Sequence, residues 1–210
     1  MKFVVREFWR DPERYADRVY TSEDTFAVAD GMGTSEGGKL AAEKAIQLLD
    51  RSRPFRELGE LEEFFIRTNR EIMKEIARLG DLHVAGTTLS VLSLSGDRYL
   101  IGHVGDSRIY IFREGYLDLL TEDQIRYRGG RKYVSALGLE WYPEVYLREG
   151  RCQKGDIFLL ISDGAVYTLS DSELEILLSE DIERSARRLF ERYLETIPKE
   201  DLSFVIVQAD

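Results

Sequence analysis

The feature that most constrains the fold is a series of short β-prone segments between Gly86 and Leu120. Tight turns separate them at Ser95-Gly96-Asp97 and Arg113-Glu114-Gly115. Short strands joined by such turns pair with their chain neighbours in antiparallel order. We therefore predict an antiparallel meander here, at the centre of the sheet structure.

The segments on either side of this meander predict further strands and two pairs of helices. Strands are indicated by runs of β-branched and aromatic residues, and helices by apolar residues at helical spacing or by a capping serine. In chain order, the predicted elements are a strand at Lys2 to Phe8, a hairpin from Arg18 to Ala29 that ends at Asp30, helices at Gly37 to Arg51 and Leu61 to Leu79, a strand at Ile157 to Ile161, a helix capped by Ser170 and running through Leu178, a helix from Ile182 to about Thr196, and a strand at Leu202 to Gln208.

Clustered strands and paired helices favour an α+β fold over a doubly wound parallel sheet. We predict two packed antiparallel β-sheets flanked by helix pairs, an α/β/β/α sandwich. With 43% hydrophobic residues the chain can bury a large core. It has no internal repeat and no linker long enough to divide it. We expect residues 1–210 to form a single domain.

Charge and cysteine content indicate the classes of partner and the compartment. The formal charge of −10 disfavours binding to nucleic acid or to an anionic membrane and favours divalent cations. Cys152 is the only cysteine, which excludes an internal disulfide and suits a reducing compartment. No apolar run is long enough to span a bilayer, and the N-terminus has no signal-peptide core. We expect a cytoplasmic protein.

Aspartates recur at the ends of predicted strands. Asp30 and Asp163 each follow an apolar run and precede a glycine, Asp106 lies in Gly-Asp-Ser-Arg, and Asp201 precedes the last strand. Hard cations such as Mg²⁺ and Mn²⁺ are bound by carboxylates, backbone carbonyls and water. A single Asp-Gly pair is typical of an ordinary tight turn. Several together indicate a cation site at a sheet edge.

Five motifs, in their order along the chain, resemble the protein phosphatase 2C family of metal-dependent Ser/Thr phosphatases, especially its compact prokaryotic members. The resemblance extends from about Asp17 to Val207. The motifs are FAVADGMG at 26–33 with GGKLAA following, AGTTLSVLSL at 85–94, IGHVGDSRIYIFREG at 101–115 with LTEDQ at 120–124, SALG at 135–138, and GDIFLLISDG at 155–164.

The resemblance implies a set of cation ligands. Asp30 would bridge two cations, with the Gly31 carbonyl on one of them, and Asp163 and Asp201 would complete the carboxylates of the first. Asp106 would belong to a weaker third cation. The implied cofactors are two Mn²⁺ or Mg²⁺ ions per site, with the third weak or absent.

The first carboxylate of the family has two candidates in this chain. The family ends its opening strand in a triplet similar to Asn-Glu-Asp, and Ser22-Glu23-Asp24 matches that spelling better than Tyr15-Ala16-Asp17. Spacing favours Asp17, because a hairpin separates this residue from Asp30 in the family, and Asp24 would leave too little chain to turn around. We choose Asp17 and assign Asp24 to the hairpin turn.

The resemblance implies hydrolysis by a water that bridges two cations, with no protein nucleophile. Cys152 lacks a phosphate-binding Cys-x5-Arg loop, and His83 and His103 are expected to have packing roles. The family also binds phosphate through an arginine near the first strand. The matching position is Pro12 here, so Arg10 and Arg14 compete, and we choose Arg10. With Asp30 and Asp163 it completes the predicted catalytic residues.

Three features depart from the family pattern. Tyr167 stands where a second carboxylate usually helps to hold the third cation, and Leu202 replaces an asparagine. The flap between the Leu-Thr-x-Asp and Ala-Leu-Gly motifs is nearly deleted. Its remnant, Arg126 to Lys132, has four basic residues in seven. This remnant is either a solvated Gly-Gly turn or a contact for phosphate or a phosphopeptide.

The sequence thus predicts a Mg/Mn-dependent phosphoserine and phosphothreonine phosphatase that acts as a monomer on phosphorylated proteins in signalling. Two alternatives stay open. The first is a catalytically weak or inactive regulatory module that binds phosphoproteins, which Tyr167 and the lost flap suggest. The second is a phosphomonoesterase for small molecules.

Overall fold

The computed structural model describes residues 1–210, which form fourteen strands and five helices. The strands are β1 Lys2–Phe8, β2 Arg18–Thr21, β3 Thr25–Ala29, β4 Gly31–Met32, β5 Gly86–Thr87, β6 Leu89–Ser95, β7 Arg98–Val104, β8 Arg108–Arg113, β9 Tyr116–Leu119, β10 Ile125–Arg128, β11 Arg131–Val134, β12 Tyr146–Arg151, β13 Ile157–Ile161 and β14 Leu202–Gln208. The helices are α1 Ser35–Ser52, α2 Leu58–Leu79, α3 Asp163–Val166, α4 Asp171–Leu177 and α5 Ile182–Glu195.

Most strands belong to two five-stranded antiparallel sheets. One has the order β1-β14-β13-β8-β9 and the other β12-β7-β6-β3-β2. Two short ladders, β4-β5 and β10-β11, lie outside them. The predicted meander is present as β6 to β9, but it divides between the sheets, because β6 and β7 belong to one sheet and β8 and β9 to the other.

Side chains alternate between two environments along each central strand. In β3, Phe26 and Val28 pack between the sheets, whereas Ala27 and Ala29 face α1 and α2. In β13, Phe158 and Leu160 lie between the sheets, and the alternate residues pack in the core beneath α4 and α5. A strand has a side-chain period of two, so one apolar run can contribute to two cores. The predicted α/β/β/α sandwich is confirmed.

The helices begin and end close to their predicted limits. Thr34 caps α1 by accepting a hydrogen bond from Gly37 N, and Ser170 forms a capping box with Glu173 at the start of α4. Gly80, with a φ of 81°, ends α2. None of the helices is long and apolar enough to cross a membrane.

Several elements were not predicted, including the short β4 and α3. β12 pairs with β7 at the edge of its sheet. The flap remnant forms the β10–β11 hairpin, in which Arg128 pairs with Arg131 across the two-residue turn Gly129-Gly130. Both glycines have positive φ, 58° and 75°, which suits the tight turns that fit twisted two-stranded ribbons. A short glycine turn therefore becomes a hairpin that projects from the two large sheets.

Candidate metal centre at one end of the sandwich

Every predicted acidic residue lies at the same end of the two sheets. The start of β2 pairs with the end of β3, and the start of β14 pairs with the end of β13. Asp17 and Asp30 therefore share one edge, and Asp163 and Asp201 share another. The start of β8 pairs with the end of β13, which brings Asp106 to this edge. Antiparallel pairing thus places together carboxylates that are far apart in the chain.

Asp30 lies at the centre of the candidate site. Its carbonyl oxygen accepts hydrogen bonds from Thr88 N at 2.9 Å and Thr87 Oγ1 at 3.0 Å, and its N–H donates to Thr88 Oγ1 at 3.1 Å. These bonds fix the backbone where the chain leaves β3. The carboxyls of Asp17 and Asp163 lie close enough to the Asp30 carboxyl for each to perturb its pKa.

The proximity of these acids raises their pKa values. Burial, together with repulsion from Asp17 and Asp163, raises the pKa of Asp30 well above its usual value. Burial raises the pKa of Asp17 to about 7, and the neighbouring side chains of Ser203, Asp30 and Ser162 partly oppose this shift. Burial and the nearby Asp106 raise the pKa of Asp163 to about 6. Like charges held together in this way require a compensating positive charge or protons.

Asp17 provides the test of whether a cation fits. Its side chain is buried, and its Oδ2 has no hydrogen-bond partner. A buried carboxylate oxygen without a donor is costly unless a cation binds it. An all-oxygen set of carboxylates suits Mg²⁺ or Mn²⁺. No three acidic, His or Cys side chains have ligand geometry around one point as they stand. Asp30 is close to Asp17 and to Asp163 as separate pairs. The oxygen ligands that these side chains offer are the type that hard cations bind.

Asp201 and Arg10 lie at the rim of this cluster. Asp201 Oδ1 accepts a hydrogen bond from Arg10 N at 2.8 Å, and Arg10 Nη1 donates to the Lys199 carbonyl at 2.7 Å. Arg10, Arg14 and Asp201 line an open cleft of about 570 Å³. The Arg14 side chain forms no ion pair in the structure. Both arginines therefore stay candidates for binding a phosphate, and Arg10 remains a prediction.

Asp106, predicted as a ligand of a weak third cation, has two protein partners in the structure. Its Oδ2 accepts hydrogen bonds from Lys132 Nζ at 2.9 Å and from the Tyr167 hydroxyl at 2.7 Å. Tyr167 was identified as a departure from the family pattern, but the contribution of Lys132 was not predicted. The signal in the sequence was the basic flap remnant, which did not show which of its residues points inward.

The histidines and Asp24 lie outside the cluster. Buried His103 bonds to Ser90 Oγ at 2.8 Å and to the Gly105 carbonyl at 3.0 Å, and burial lowers its pKa to about 4. Asp24 accepts hydrogen bonds from Ser22 and Thr25 in the β2–β3 turn. His103 and Asp24 therefore have local hydrogen-bond partners away from the acidic cluster.

Gly31 allows helix α1 to approach the backbone beside Asp30. A Cβ atom at Gly31 would lie 2.4 Å from the Gly38 carbonyl oxygen and 2.9 Å from Ala16 Cβ. Backbone atoms cannot move aside as flexible side chains do. The absence of a side chain here lets the start of α1 pack directly on the site.

We expect Gly31→Ala to destabilise the protein by roughly 1 to 3 kcal/mol, the usual cost of overpacking. The control is Gly59→Ala in the first turn of α2, where an added Cβ would have no atom within 4 Å. That change should be neutral or stabilise by about 0.5 to 1 kcal/mol. Urea unfolding measured by circular dichroism compares the two variants. Equal midpoints would contradict the close packing described here.

Comparison with known proteins identifies the class to which this fold and site belong. The sequence profile of the Protein phosphatase 2C family matches residues 14–206. The chain belongs to the protein phosphatase 2C family.

Particular relatives are bacterial phosphatases. The chain is 33% identical over 198 residues to the serine/threonine protein phosphatase PstP of Mycobacterium tuberculosis, covering 83% of this chain but 38% of PstP. It is 30% identical over 190 residues to the serine/threonine phosphatase stp of Listeria monocytogenes, covering 79% and 73% of the two chains. The chain thus spans well under half the length of PstP.

Solved structures of bacterial phosphatases superimpose on this chain over nearly its whole length. The crystal structure of Mycobacterium tuberculosis PstP superimposes with a TM-score of 0.88 at 25% identity, covering 100% of this chain and 98% of that one. The PstP catalytic domain in complex with two manganese ions superimposes with a TM-score of 0.85 at 28% identity, covering 99% and 97%.

Proposed function

We propose that this chain is a metal-dependent phosphatase that hydrolyses phosphoserine and phosphothreonine in proteins. The observation that carries the proposal is the cluster of Asp17, Asp30 and Asp163, in which a buried carboxylate oxygen has no hydrogen-bond partner. Membership of a family whose relatives include serine/threonine phosphatases supports the reaction class.

The residues that would hold two Mn²⁺ or Mg²⁺ ions are Asp17, Asp30, Asp163 and Asp201, with the Gly31 carbonyl. When bound, such ions supply positive charge to a phosphoryl group and lower the pKa of a coordinated water. The PstP catalytic domain holds two manganese ions, which supports the same number here.

The protein's own contribution is to position these groups. Thr87 and Thr88 fix the Asp30 backbone, and Arg10 N holds the Asp201 carboxylate. Arg10 and Arg14 place positive charge in the cleft beside Asp201, where either could bind a phosphate oxygen. Glycine contacts bring α1 close to Asp30.

The setting is proposed from the same features. The unpaired thiol of Cys152 suits the cytoplasm, and the net charge of −10 is unfavourable for binding nucleic acid or an anionic membrane. We also propose that residues 1–210 act as one catalytic domain, as a monomer, on phosphorylated proteins in signalling. The two sheets share one apolar layer between them, which supports a single folding unit.

The purified chain should release phosphate from a phosphothreonine peptide with Mn²⁺ present and should stop when EDTA is added. A panel of small phosphomonoesters is assayed beside the peptide, with malachite green detection of phosphate. Higher kcat/KM on the peptide supports a protein phosphatase. Higher kcat/KM on a small ester supports a phosphomonoesterase, and binding of Mn²⁺ and phosphopeptide without release of phosphate supports a regulatory module.

A further inference from the structure

Lys132, Tyr167 and Asp106 form a closed set of three contacts beside the acidic cluster. Lys132 Nζ lies 2.9 Å from Asp106 Oδ2 and 2.5 Å from the Tyr167 hydroxyl, which itself lies 2.7 Å from Asp106 Oδ2. The ammonium group is also 4.0 Å from the centre of the Tyr167 ring. We call these three residues the lysine clamp.

The donors and acceptors of the lysine clamp are mutually consistent. An ionised carboxylate only accepts, so the Tyr167 hydroxyl donates to Asp106 and accepts from Lys132. The ammonium donates to both partners, and hydrogen bonds in which the donor or acceptor is charged are the stronger ones. The three groups therefore form a closed network around Asp106 Oδ2.

Burial explains why Asp106 needs this partner. The Asp106 side chain is 1% exposed, whereas Lys132 is 34% exposed. A carboxylate removed from water must be compensated by a proton, a metal ion or a cationic side chain. Lys132 supplies that charge from the protein itself, and Tyr167 completes the coordination of the same oxygen.

The lysine clamp is electrostatically coupled to the candidate metal centre. Burial and the charge of Asp106 raise the pKa of Asp163, whereas the charge of Lys132 lowers it. Lys132 is therefore close enough to act on a carboxylate of the acidic cluster. Its position is fixed relative to that cluster through Asp106.

The pairing of the β10–β11 hairpin explains why Lys132, and not another of its basic residues, contacts Asp106. Lys132 pairs with Tyr127 across the β10–β11 ladder, and alternate residues of a strand point to opposite sides. The side chains of its neighbours Arg128 and Arg131 are exposed, and neither forms an ion pair in the structure. Only Lys132 joins the tip half of this hairpin to the metal centre by an ion pair.

We propose that Lys132 is a cation built into the site, which occupies Asp106, keeps a further divalent ion from binding there and tethers the β10–β11 hairpin beside the metal centre. The inference rests on the proposed function, since it concerns how many cations the same site accepts. Lys132 is a positioning residue on this view, because it acts through Asp106.

The test counts Mn²⁺ ions per chain in wild type and in Lys132→Met, by equilibrium dialysis at increasing Mn²⁺ with elemental analysis. Methionine keeps the length of the side chain and removes its charge. We expect Lys132→Met to bind one more ion per chain than wild type, and adding Asp106→Asn to remove that ion. Arg131→Met is the matched control on the same hairpin and should bind as wild type does.

Equal counts in Lys132→Met and wild type would overturn the proposal, as would an extra ion in Arg131→Met or one that survives Asp106→Asn. Lys132→Arg, which keeps the charge, should bind as wild type. Amide hydrogen exchange of residues 125–134 without metal supplies a second readout. Lys132→Met should exchange faster there than Arg131→Met, and equal exchange would overturn the tether.

This count is independent of turnover. A wild-type chain that binds Mn²⁺ but releases no phosphate would contradict the proposed function, while the difference in ions between Lys132→Met and wild type would still decide the role of Lys132. Conversely, hydrolysis by wild type together with equal ion counts in Lys132→Met and wild type would support the proposed function and overturn the role proposed for Lys132.

Discussion

Asp30→Asn should lower kcat roughly a hundredfold or more, because even partners behind the first ligands of a metal are commonly worth about 10- to 100-fold in activity. The amide keeps the shape of the side chain and removes the charge that lies between Asp17 and Asp163. Steady-state release of phosphate from a phosphothreonine peptide with Mn²⁺ measures the effect.

The same variant should be more stable than wild type without divalent cations. Because burial and neighbouring carboxylates raise the pKa of Asp30 in the folded protein, its ionised form disfavours folding above the pKa of the unfolded chain. Asparagine removes this penalty at neutral pH. Differential scanning calorimetry in EDTA should therefore give a higher Tm for Asp30→Asn than for wild type. A higher Tm would show that the loss of activity is not caused by unfolding.

Asp118→Asn is the matched control, since Asp118 is exposed on β9 and its carboxylate has no hydrogen-bond or ion-pair partner in the structure. It should retain wild-type turnover. Activity of Asp30→Asn above about a tenth of wild type would contradict the role proposed for this carboxylate in holding cations.

Asp17→Asn should reduce turnover about tenfold to a hundredfold, whereas Asp24→Asn should leave it near wild type. Asp17 is buried against Asp30 and presents an unpartnered oxygen. Asp24 lies in the β2–β3 turn, where it accepts a hydrogen bond from Thr25 Oγ1 at 2.9 Å and lies 3.7 Å from Arg53.

Assays of both variants at saturating Mn²⁺ measure the effect on turnover, and urea unfolding of each variant measures the effect on stability. Asp24→Asn should reduce stability by about 0.5 to 1.5 kcal/mol, as expected for a lost hydrogen bond. If Asp24→Asn were the less active of the two, the assignment of the first carboxylate would have to move to the turn.

Periodicity predicted the parts of the fold that are determined locally. β14 has its predicted limits and α2 ends at Leu79 as predicted, although the helix begins at Leu58, three residues before the predicted start. The division of the meander between two sheets was not predictable in this way. The sequence of the turn between β7 and β8 does not show that the chain passes from one sheet to the other here. Only tertiary packing places β8 beside β13.

The candidate site was predicted for a different reason. Resemblance to a family supplied Asp17, Asp30, Asp163 and Asp201, and antiparallel pairing explains why they meet. Lys132 was missed because its direction depends on strand parity. The segment was interpreted as a turn, and only in a paired hairpin do Arg131 and Lys132 point to opposite sides.

The two sheets contribute carboxylates of one sign to their common end, Asp17 and Asp30 from one sheet and Asp163 and Asp201 from the other. Elsewhere the sheets are joined by apolar side chains such as Phe26, Phe158 and Val205. Docking is therefore favourable along the length of the sandwich and opposed at this end, where like charges repel. A divalent ion bound by carboxylates of both sheets would replace this repulsion with attraction, so metal binding and the docking of the two sheets at this end would be coupled. In metal-free protein, the two sheets should separate first at this end, and the apolar contacts between them should be the last to be lost.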